Sequence, residues 1–279
     1  MTQAPHAGGP RPRVDLTSPR SSAVKAVRRL HRRAARQAEG RFVVEGPQAV
    51  REALAAGALT ALYGTGQLPD LEDAARDRGV PVTRVSEPVL AAMAETATPQ
   101  GLLGLAALLP TGLDVLPARP RLVAVLDRVA DPGNAGTVLR TADAAGADAL
   151  VLTAGSTDPH GGKCVRASAG SLWHLPVVAG VDVEAALAAL RARGLSVLAT
   201  SGRGEDDLDD LLDRGALRGP TAWVFGSEAH GLPEPVLAGA DRRVRVPLHG
   251  RAESLNLGAA AAVCLYASAR QQRSDGGSP

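Results

Sequence analysis

Short apolar runs alternate with amphipathic stretches along the whole chain, a pattern that is typical of α/β proteins. Residues 1–18 are rich in Pro, Gly and Arg, and we expect a disordered basic tail there. The next part of the chain predicts a compact module, with strands at 41–45, 61–63, 82–85 and 101–109 and helices at 21–38, 47–56, 71–78 and 88–94.

Turn-forming residues at 110–120 separate this module from a second one with longer elements. We therefore predict a small domain at 19–110, a linker at 111–119 and a larger domain at 120–273. Strands alternate with longer helices in the larger domain, which predicts a mostly parallel sheet covered on both faces. Its strands are predicted at 122–126, 149–153, 177–178, 195–200, 221–225 and 243–246, and its helices at 135–145, 163–172, 183–193, 234–238 and 257–271.

The overall composition describes a soluble globular protein, with 45% hydrophobic and 22% charged residues among 279. No apolar run is long enough for a membrane span, and the N-terminus lacks the apolar core of a signal peptide. Cys164 and Cys264 are the only cysteines, too few for a disulfide framework or a zinc pattern. We therefore expect a cytoplasmic protein with reduced thiols and no metal site.

Positive charge is concentrated at the N-terminal end of the chain. Residues 1–41 hold ten Lys and Arg against only Asp15 and Glu39, although the whole chain has a net charge of +2. Such a block indicates a nucleic acid or another anionic surface as partner, and a solvated helix face or tail is the alternative. Aromatic residues make up only 2% of the chain, which argues against a base-stacking platform. The candidate RNA-binding residues are Lys25, Arg28, Arg29, Arg32, Arg33 and Arg36.

Polar residues follow several of the predicted parallel strands, where ligands bind in open α/β sheets. The strand at 122–126 leads into a loop with Asn134 and then a helix with Arg140 near its first turns. The strand ending at Thr200 runs into a Ser-Gly-Arg-Gly loop that contains neither a Walker pattern nor a complete GxGxxG. Each feature also has an ordinary explanation: Asn134 as a helix cap, Arg140 as a solvated side chain and the glycines as a flexible loop.

Two further strands are followed by residues that could take part in binding or catalysis. The strand at 221–225 runs into a loop in which Gly226 and Gly231 flank Glu228. The strand at 243–246 runs into residues 247–257, where Ser254 and Asn256 bracket a leucine ahead of an Ala-rich helix that could bury them. One of these two side chains is explained as a helix cap. The second buried polar group suggests a nearby ligand, because an unpartnered one is costly.

These blocks resemble the three motifs of the SpoU/TrmH family of RNA ribose 2′-O-methyltransferases, in the SPOUT class. Motif one resembles 131–142 (DPGNAGTVLRTA), motif two 225–232 (FGSEAHGL) and motif three 246–257 (VPLHGRAESLNL). The resemblance spans about residues 120–272. Residues 20–110, with the segment 42–46 (FVVEG), are similar to the small RNA-binding domain that often precedes this catalytic domain.

The resemblance implies S-adenosylmethionine as methyl donor, a trefoil knot and a homodimer. It places Asn134 and Arg140 on the substrate side of the site, with Glu228, Ser254 and Asn256 completing the polar cluster. The positions that it assigns to the cofactor are Thr200, Gly226, Val246, Leu248 and Leu255.

The expected reaction is the attack of a ribose 2′-hydroxyl on the methyl group of the cofactor. Since guanidinium stays protonated, we expect Arg140 to grip the neighbouring phosphate and stabilise the developing alkoxide, whereas water, phosphate or Glu228 takes the proton. Ser254 and Asn256 would fix the ribose and the loop. The expected substrate is 23S ribosomal RNA, with transfer RNA second. A non-catalytic RNA-binding or ribosome-assembly protein of the same fold is the main alternative, and the lack of a Gly-rich turn after the first strand argues against a dehydrogenase.

Overall fold

The computed structural model describes residues 15–274, which form two lobes that are each built around one sheet. The N-terminal lobe has a four-stranded sheet of order β1-β4-β2-β3, in which only β2 and β3 are parallel. Its elements are α1 (Ser22–Arg29), α2 (Arg33–Glu39), β1 (Arg41–Glu45), α3 (Pro47–Ala55), β2 (Leu59–Gly64), α4 (Pro69–Asp77), β3 (Val82–Arg84), α5 (Glu87–Met93) and β4 (Leu102–Ala107).

The C-terminal lobe has a seven-stranded sheet of order β7-β6-β5-β10-β8-β11-β9, in which all paired strands are parallel. Its strands are β5 (Leu122–Leu126), β6 (Ala149–Thr153), β7 (Val177–Val181), β8 (Ser196–Thr200), β9 (Asp206–Asp207), β10 (Thr221–Phe225) and β11 (Arg242–Arg245). Its helices are α6 (Pro132–Ala145), α7 (Gly162–Ser168), α8 (Val183–Arg191), α9 (Leu208–Asp213), α10 (Glu234–Ala238) and α11 (Leu257–Ser274), with short 3-10 turns at Leu113–Val115 and Ser171–Trp173.

The predicted mostly parallel α/β architecture is confirmed. Every residue of β5, β6 and β10 is buried, as expected for central strands that are covered by helices on both faces. No helix within residues 15–274 combines the length and the apolar character needed to cross a bilayer.

The predicted single helix at 21–38 is wrong, because α1 and α2 are separated by an extended Arg32. The side chain of Arg36 connects the two helices across this break. The guanidinium of Arg36 donates to the carbonyl oxygens of Leu30 and His31, both at 2.9 Å, and so satisfies acceptors at the end of α1. Helix ends need such partners, and the Arg36 side chain supplies them from within the next helix.

The structure also differs from the expected elements in other places. The helix expected at 163–172 ends at Ser168, because Ala169 and Gly170 take left-handed backbone conformations with φ of +50° and +105°. Strand β9 and helix α9, within 206–213, are not anticipated by the sequence pattern. Most of the expected disordered tail lies outside the described residues, but Leu16 pairs with Val85, so ordered structure begins before residue 19.

The two lobes are packed against each other along a seam formed by β1 and α2 on one side and the 155–173 region on the other. The ring of Phe42 lies 4.8 Å from that of His160 and 6.2 Å from that of Trp173. Arg36 and Asp158 form an ion pair of 2.7 Å across the seam. Residues of both lobes belong to one continuous hydrophobic cluster, so the lobes share a core.

Candidate active site

A cleft of about 400 Å³ opens at the carboxyl ends of β8 and β10, beside the start of α11. Its volume lies in the usual range for small-molecule sites, ~300 to 1,000 Å³. It lies where ligands bind in open parallel sheets, beyond the carboxyl ends of the strands. The cleft is lined by Thr200, Phe225, Gly226, Ser227, Glu228, Gly231, Ser254, Leu255, Asn256, Leu257 and Ala260.

The loop after β10 is a tight turn that folds back on itself. The amide of Gly231 donates to the carbonyl oxygen of Ser227 at 2.8 Å. A Cβ atom added at Gly226 would lie 2.2 Å from the carbonyl carbon of Gly231, far inside van der Waals contact. Only glycine therefore fits at position 226, because any side chain there would prevent this turn from closing.

Two polar side chains satisfy the amide groups at the start of α11. The Leu257 amide donates to Oε1 of Glu228 at 3.3 Å, and the Ala259 amide donates to Oδ1 of Asn256 at 2.9 Å. A carboxylate and an amide oxygen at a helix N-terminus are favourable because the first amide groups have no partner within the helix. Glu228 thus ties the loop after β10 to the helix that follows β11.

The expectation that the Ala-rich helix buries both Ser254 and Asn256 is wrong. Both residues are exposed, and Asn256 is the helix cap. Among the described residues, the Ser254 side chain has no hydrogen-bond partner, so it faces the cleft with its hydroxyl free. Thr200 lies on the opposite side, at the end of β8, where its hydroxyl donates to the Val224 carbonyl oxygen at 3.0 Å.

Helix α6 carries the two remaining candidates of the polar cluster, but neither of them lines the cleft. The helix cap is Asp131, whose Oδ1 accepts from the Asn134 amide at 2.8 Å. Asn134 is half-buried in the first turn. Since the helix begins at Pro132, Arg140 lies in its third turn and is exposed, and the expectation of a place near the first turns is wrong.

Close contacts relate α6 to both the cleft and α7. A Cβ atom at Gly258, in the first turn of α11, would lie 2.8 Å from the Thr137 side chain, so α6 packs closely against the turn whose Leu257 and Ala260 line the cleft. On its other side, Lys163 of α7 lies 2.7 Å from Oδ2 of Asp131. This hydrogen bond, together with that from the Asn134 amide, lowers the pKa of the Asp131 carboxyl.

Among the predicted cofactor positions, Thr200, Gly226 and Leu255 line the cleft, whereas Val246 and Leu248 do not. Leu248 and Leu255 are 40% and 38% exposed. Sequence reasoning did not single out Ser227, Phe225 or Ala260 as lining residues. The first two lie inside the second motif and could have been included on that ground, whereas nothing in the sequence marks Ala260.

The candidate RNA-binding residues divide into three groups. Lys25, Arg28 and Arg32 are exposed. Arg29 pairs with Glu39 at 3.1 Å, and Arg33 is exposed with its guanidinium 4.0 Å from Asp158. Arg36 contradicts the expectation, because it is buried and its guanidinium is taken up by Asp158 and by the end of α1.

The side chains of the cleft are chemically suited to bind a nucleoside that carries a positively charged sulfur. Leu255 and Leu257 provide apolar contacts, and the hydroxyls of Thr200 and Ser254 provide hydrogen-bonding groups. Glu228 is the carboxylate among the lining residues and offers an opposite charge to a cation. The arrangement therefore combines apolar contact, hydrogen bonding and one negative charge in a cleft of suitable size.

Comparison with known proteins gives matches over nearly the whole chain. Residues 121–266 match the SpoU rRNA Methylase family, and residues 21–104 match the MRM3-like substrate binding domain. The chain is 33% identical over 255 residues to the 23S rRNA (guanosine(2553)-2′-O)-methyltransferase RlmP of Bacillus subtilis, covering 90% of this chain and 97% of that protein.

Solved structures agree with these matches. The AdoMet-bound rRNA methyltransferase of Sinorhizobium meliloti superposes with a TM-score of 0.78 at 32% identity, covering 91% of this chain and 97% of that one. The SpoU methyltransferase AviRb of Streptomyces viridochromogenes in complex with AdoMet gives a TM-score of 0.79 at 29% identity, with coverage of 91% and 99%.

Proposed function

This chain belongs to the SpoU rRNA Methylase family, and from that membership we propose that it transfers a methyl group from S-adenosylmethionine to a ribose 2′-hydroxyl of 23S ribosomal RNA. The family resemblance of the three motifs is thereby confirmed. The observation that carries the proposal is the cleft at the ends of β8 and β10, where the second and third motifs are joined by the bond between Glu228 and the Leu257 amide. Two relatives of the same fold are described with AdoMet bound.

The residues that would hold the cofactor are those of the cleft wall. Thr200 and Gly226 lie at the strand ends, and Leu255 offers an apolar face next to them. When bound, S-adenosylmethionine supplies an electrophilic methyl group on a positively charged sulfur. Val246 and Leu248 do not line the cleft, although they lie in the segment that leads to it. Contact between their backbone and the cofactor therefore stays a prediction.

The chain's own part in the reaction is to orient the ribose and to stabilise charge. The 2′-oxygen would accept the methyl group that bound S-adenosylmethionine supplies, and its proton would pass to water, to the RNA phosphate or to Glu228. Arg140 is permanently charged, so it grips the phosphate beside the target ribose and stabilises the developing alkoxide. Ser254 and Asn134 hold the ribose. Asn256 and Glu228 keep the loop in register with α11, as their hydrogen bonds to its first turn support.

A homodimer is part of the proposal. The exposed large apolar side chains among the described residues are Leu248, Leu255, Val263 and Tyr266. All four lie on α11 or on the loop that precedes it, and a concentrated apolar surface of this kind favours a protein partner. A second copy of the chain would bury these side chains.

The trefoil knot is also proposed. Helix α11 follows β11, which lies near one edge of the sheet, yet α11 returns to pack against α6 and the central strands β5 and β10. This return path supports a threaded chain. The proposed domain limits, 19–110 and 120–273 with a linker at 111–119, are supported by the 3-10 turn at Leu113–Val115 and by family matches that end at 104 and begin at 121.

The N-terminal lobe is proposed to bind the RNA through Lys25, Arg28, Arg32 and Arg33, with a minor part for Arg29. These side chains are exposed on α1, at Arg32 and at the start of α2, and phosphate contacts give most of the affinity of basic surfaces for RNA. We place the protein in the cytoplasm. The free, buried thiols of Cys164 and Cys264 support this location.

The test is methyl transfer from labelled S-adenosylmethionine to total RNA from a bacterial strain that lacks this protein, separated by size. Label recovered as a 2′-O-methyl nucleotide in 23S RNA is the expected result. Label in transfer RNA would replace the substrate and keep the reaction. Absence of label in every fraction, from protein that binds the cofactor, would favour the non-catalytic alternative.

A further inference from the structure

His174 lies between two carboxylates that come from different lobes. Its Nδ1 is 2.7 Å from Oδ2 of Asp143 on α6, and its Nε2 is 3.3 Å from Oε2 of Glu52 on α3. His174 itself directly follows the 3-10 turn at Ser171–Trp173. One imidazole thus connects the substrate-binding lobe to the helix that carries Arg140.

Packing holds the imidazole in this place. Gly170, just before the 3-10 turn, has φ of +105°, and a Cβ atom there would lie 2.3 Å from Cγ of Glu52. The turn is therefore pressed against α3. Glu52 is fixed in turn by Gln48, whose side-chain amide donates to its other oxygen at 2.6 Å. His174 consequently faces α6 from a turn that is packed against α3.

Asp143 lies three residues after Arg140 on the same helix. Residues at this spacing are neighbours on a helix surface, and an Arg and an Asp so placed attract each other. Within the described residues, however, Arg140 forms no ion pair, and the carboxylate of Asp143 is directed to His174 instead. The hydrogen bond to His174 therefore keeps the negative charge of the Asp143 carboxylate away from the Arg140 guanidinium.

We propose that His174 is a positioning residue that holds the Asp143 carboxylate away from Arg140 and so keeps Arg140 available to the RNA phosphate. The proposal rests on the proposed function, in which Arg140 grips that phosphate. If the hydrogen bond to His174 is lost, the Asp143 carboxylate competes with the RNA phosphate for the Arg140 guanidinium. The negative charge of the carboxylate also repels the phosphate.

The experiment compares steady-state methyl transfer to 23S RNA by the wild-type protein and by the variants His174→Ala, Asp143→Asn and the double variant. We expect His174→Ala to lower kcat/KM for RNA about three- to tenfold, more than the ~twofold of an exposed pair at this spacing, because of the added repulsion. Affinity for S-adenosylmethionine should stay unchanged. Asp143→Asn should remain close to wild type, and the double variant should recover most of the loss.

Recovery separates the proposal from a purely structural bridge, since a lost contact between the lobes is not restored by removing a second partner. A double variant as slow as His174→Ala would overturn the proposal, as would full activity of His174→Ala. An inactive wild-type protein would instead contradict the proposed function, so the two failures are distinguishable.

A matched pair of variants covers the case in which His174→Ala does not fold. The amide of His174→Asn can occupy the place of Nδ1 and bond to Asp143, whereas the longer His174→Gln reaches the place of Nε2 and bonds to Glu52. We expect His174→Asn to keep the wild-type kcat/KM for RNA and His174→Gln to show the same three- to tenfold decrease as His174→Ala. Equal activity of the two variants would overturn the proposal.

Discussion

The carboxylate of Glu228 and the amide of Leu257 are joined by a hydrogen bond of 3.3 Å although the two residues belong to different motifs. The bond fixes the start of α11 against the loop after β10, and both segments form the cleft wall. The geometry of the cleft therefore depends on an acceptor at position 228.

Replacement of Glu228 separates this acceptor function from the negative charge. Glu228→Gln retains an oxygen for the Leu257 amide and should keep the unfolding midpoint, whereas Glu228→Ala leaves that amide unpaired and should lower stability by about 1 kcal/mol. Both variants should bind S-adenosylmethionine more weakly, because both remove the carboxylate. Calorimetric titration and thermal unfolding check these expectations. Unchanged cofactor affinity in Glu228→Gln would exclude an electrostatic part for the carboxylate.

Arg140→Ala should abolish turnover with little change in cofactor binding, because Arg140 lies outside the lining of the cleft. Loss of a contact made mainly in the transition state gives a fall of roughly 100-fold or more in rate. Single-turnover methyl transfer measures the effect. Arg140→Lys is the control, and it should recover only part of the activity since it lacks the bidentate geometry. Retention of most activity in Arg140→Ala would remove Arg140 from the site.

Gly226→Ala should destabilise the protein and weaken cofactor binding, since the added Cβ meets the Gly231 carbonyl group at 2.2 Å. The backbone has to shift, which costs about 1 to 3 kcal/mol. Gly202→Ala is a matched control, because a Cβ atom at Gly202 meets nothing within 4 Å. The measurement is the unfolding midpoint with and without S-adenosylmethionine. Equal midpoints for the two variants would contradict the tight turn.

Arg36 and Arg32 should respond to substitution in different ways. Arg36→Ala leaves the Asp158 carboxylate without its partner at the seam, and breaking a buried pair costs about 3 to 5 kcal/mol. Arg32→Ala should leave stability unchanged and reduce the salt dependence of RNA binding by about one phosphate contact. Chemical denaturation and filter binding at several salt concentrations check the pair. A stable Arg36→Ala with weakened RNA binding would restore Arg36 to the RNA surface.

The contribution of His174 to stability should depend on pH. The hydrogen bond to Asp143 raises the pKa of His174, against an opposing effect of burial and with further support from Glu52. A pKa raised on folding gives stabilisation that is fully present below the unfolded value of ~6.5 and is lost as pH rises through the folded value. The difference in urea midpoint between wild type and His174→Ala should therefore be larger at pH 6 than at pH 9. A difference that does not vary with pH would contradict a charged imidazole.

The sequence predicts the cleft because its residues follow strands of a parallel sheet, and parallel strands bring their carboxyl ends to one edge. Thr200, Glu228 and Asn256 meet there for that reason. Arg36 was misjudged because its surroundings come from Asp158, which lies far away in the sequence. The contacts of His174 also come from distant parts of the sequence, because its two partners, Glu52 and Asp143, lie on α3 and α6. The local sequence pattern indicates the periodicity of helices and strands and where the strands end. The contacts of Arg36 and His174, in contrast, form only when the two lobes pack together.

The ring contacts of Phe42 with His160 and Trp173 have a consequence for the exchange of RNA specificity between related enzymes. A substrate-binding lobe grafted from another protein would have to bring its own complement to these two rings and to Asp158. The seam thus limits which substrate-binding lobes can replace the one in this chain. If α1 and α2 bind the RNA as proposed, substitutions on their exposed faces can change the RNA target while the shared core stays intact.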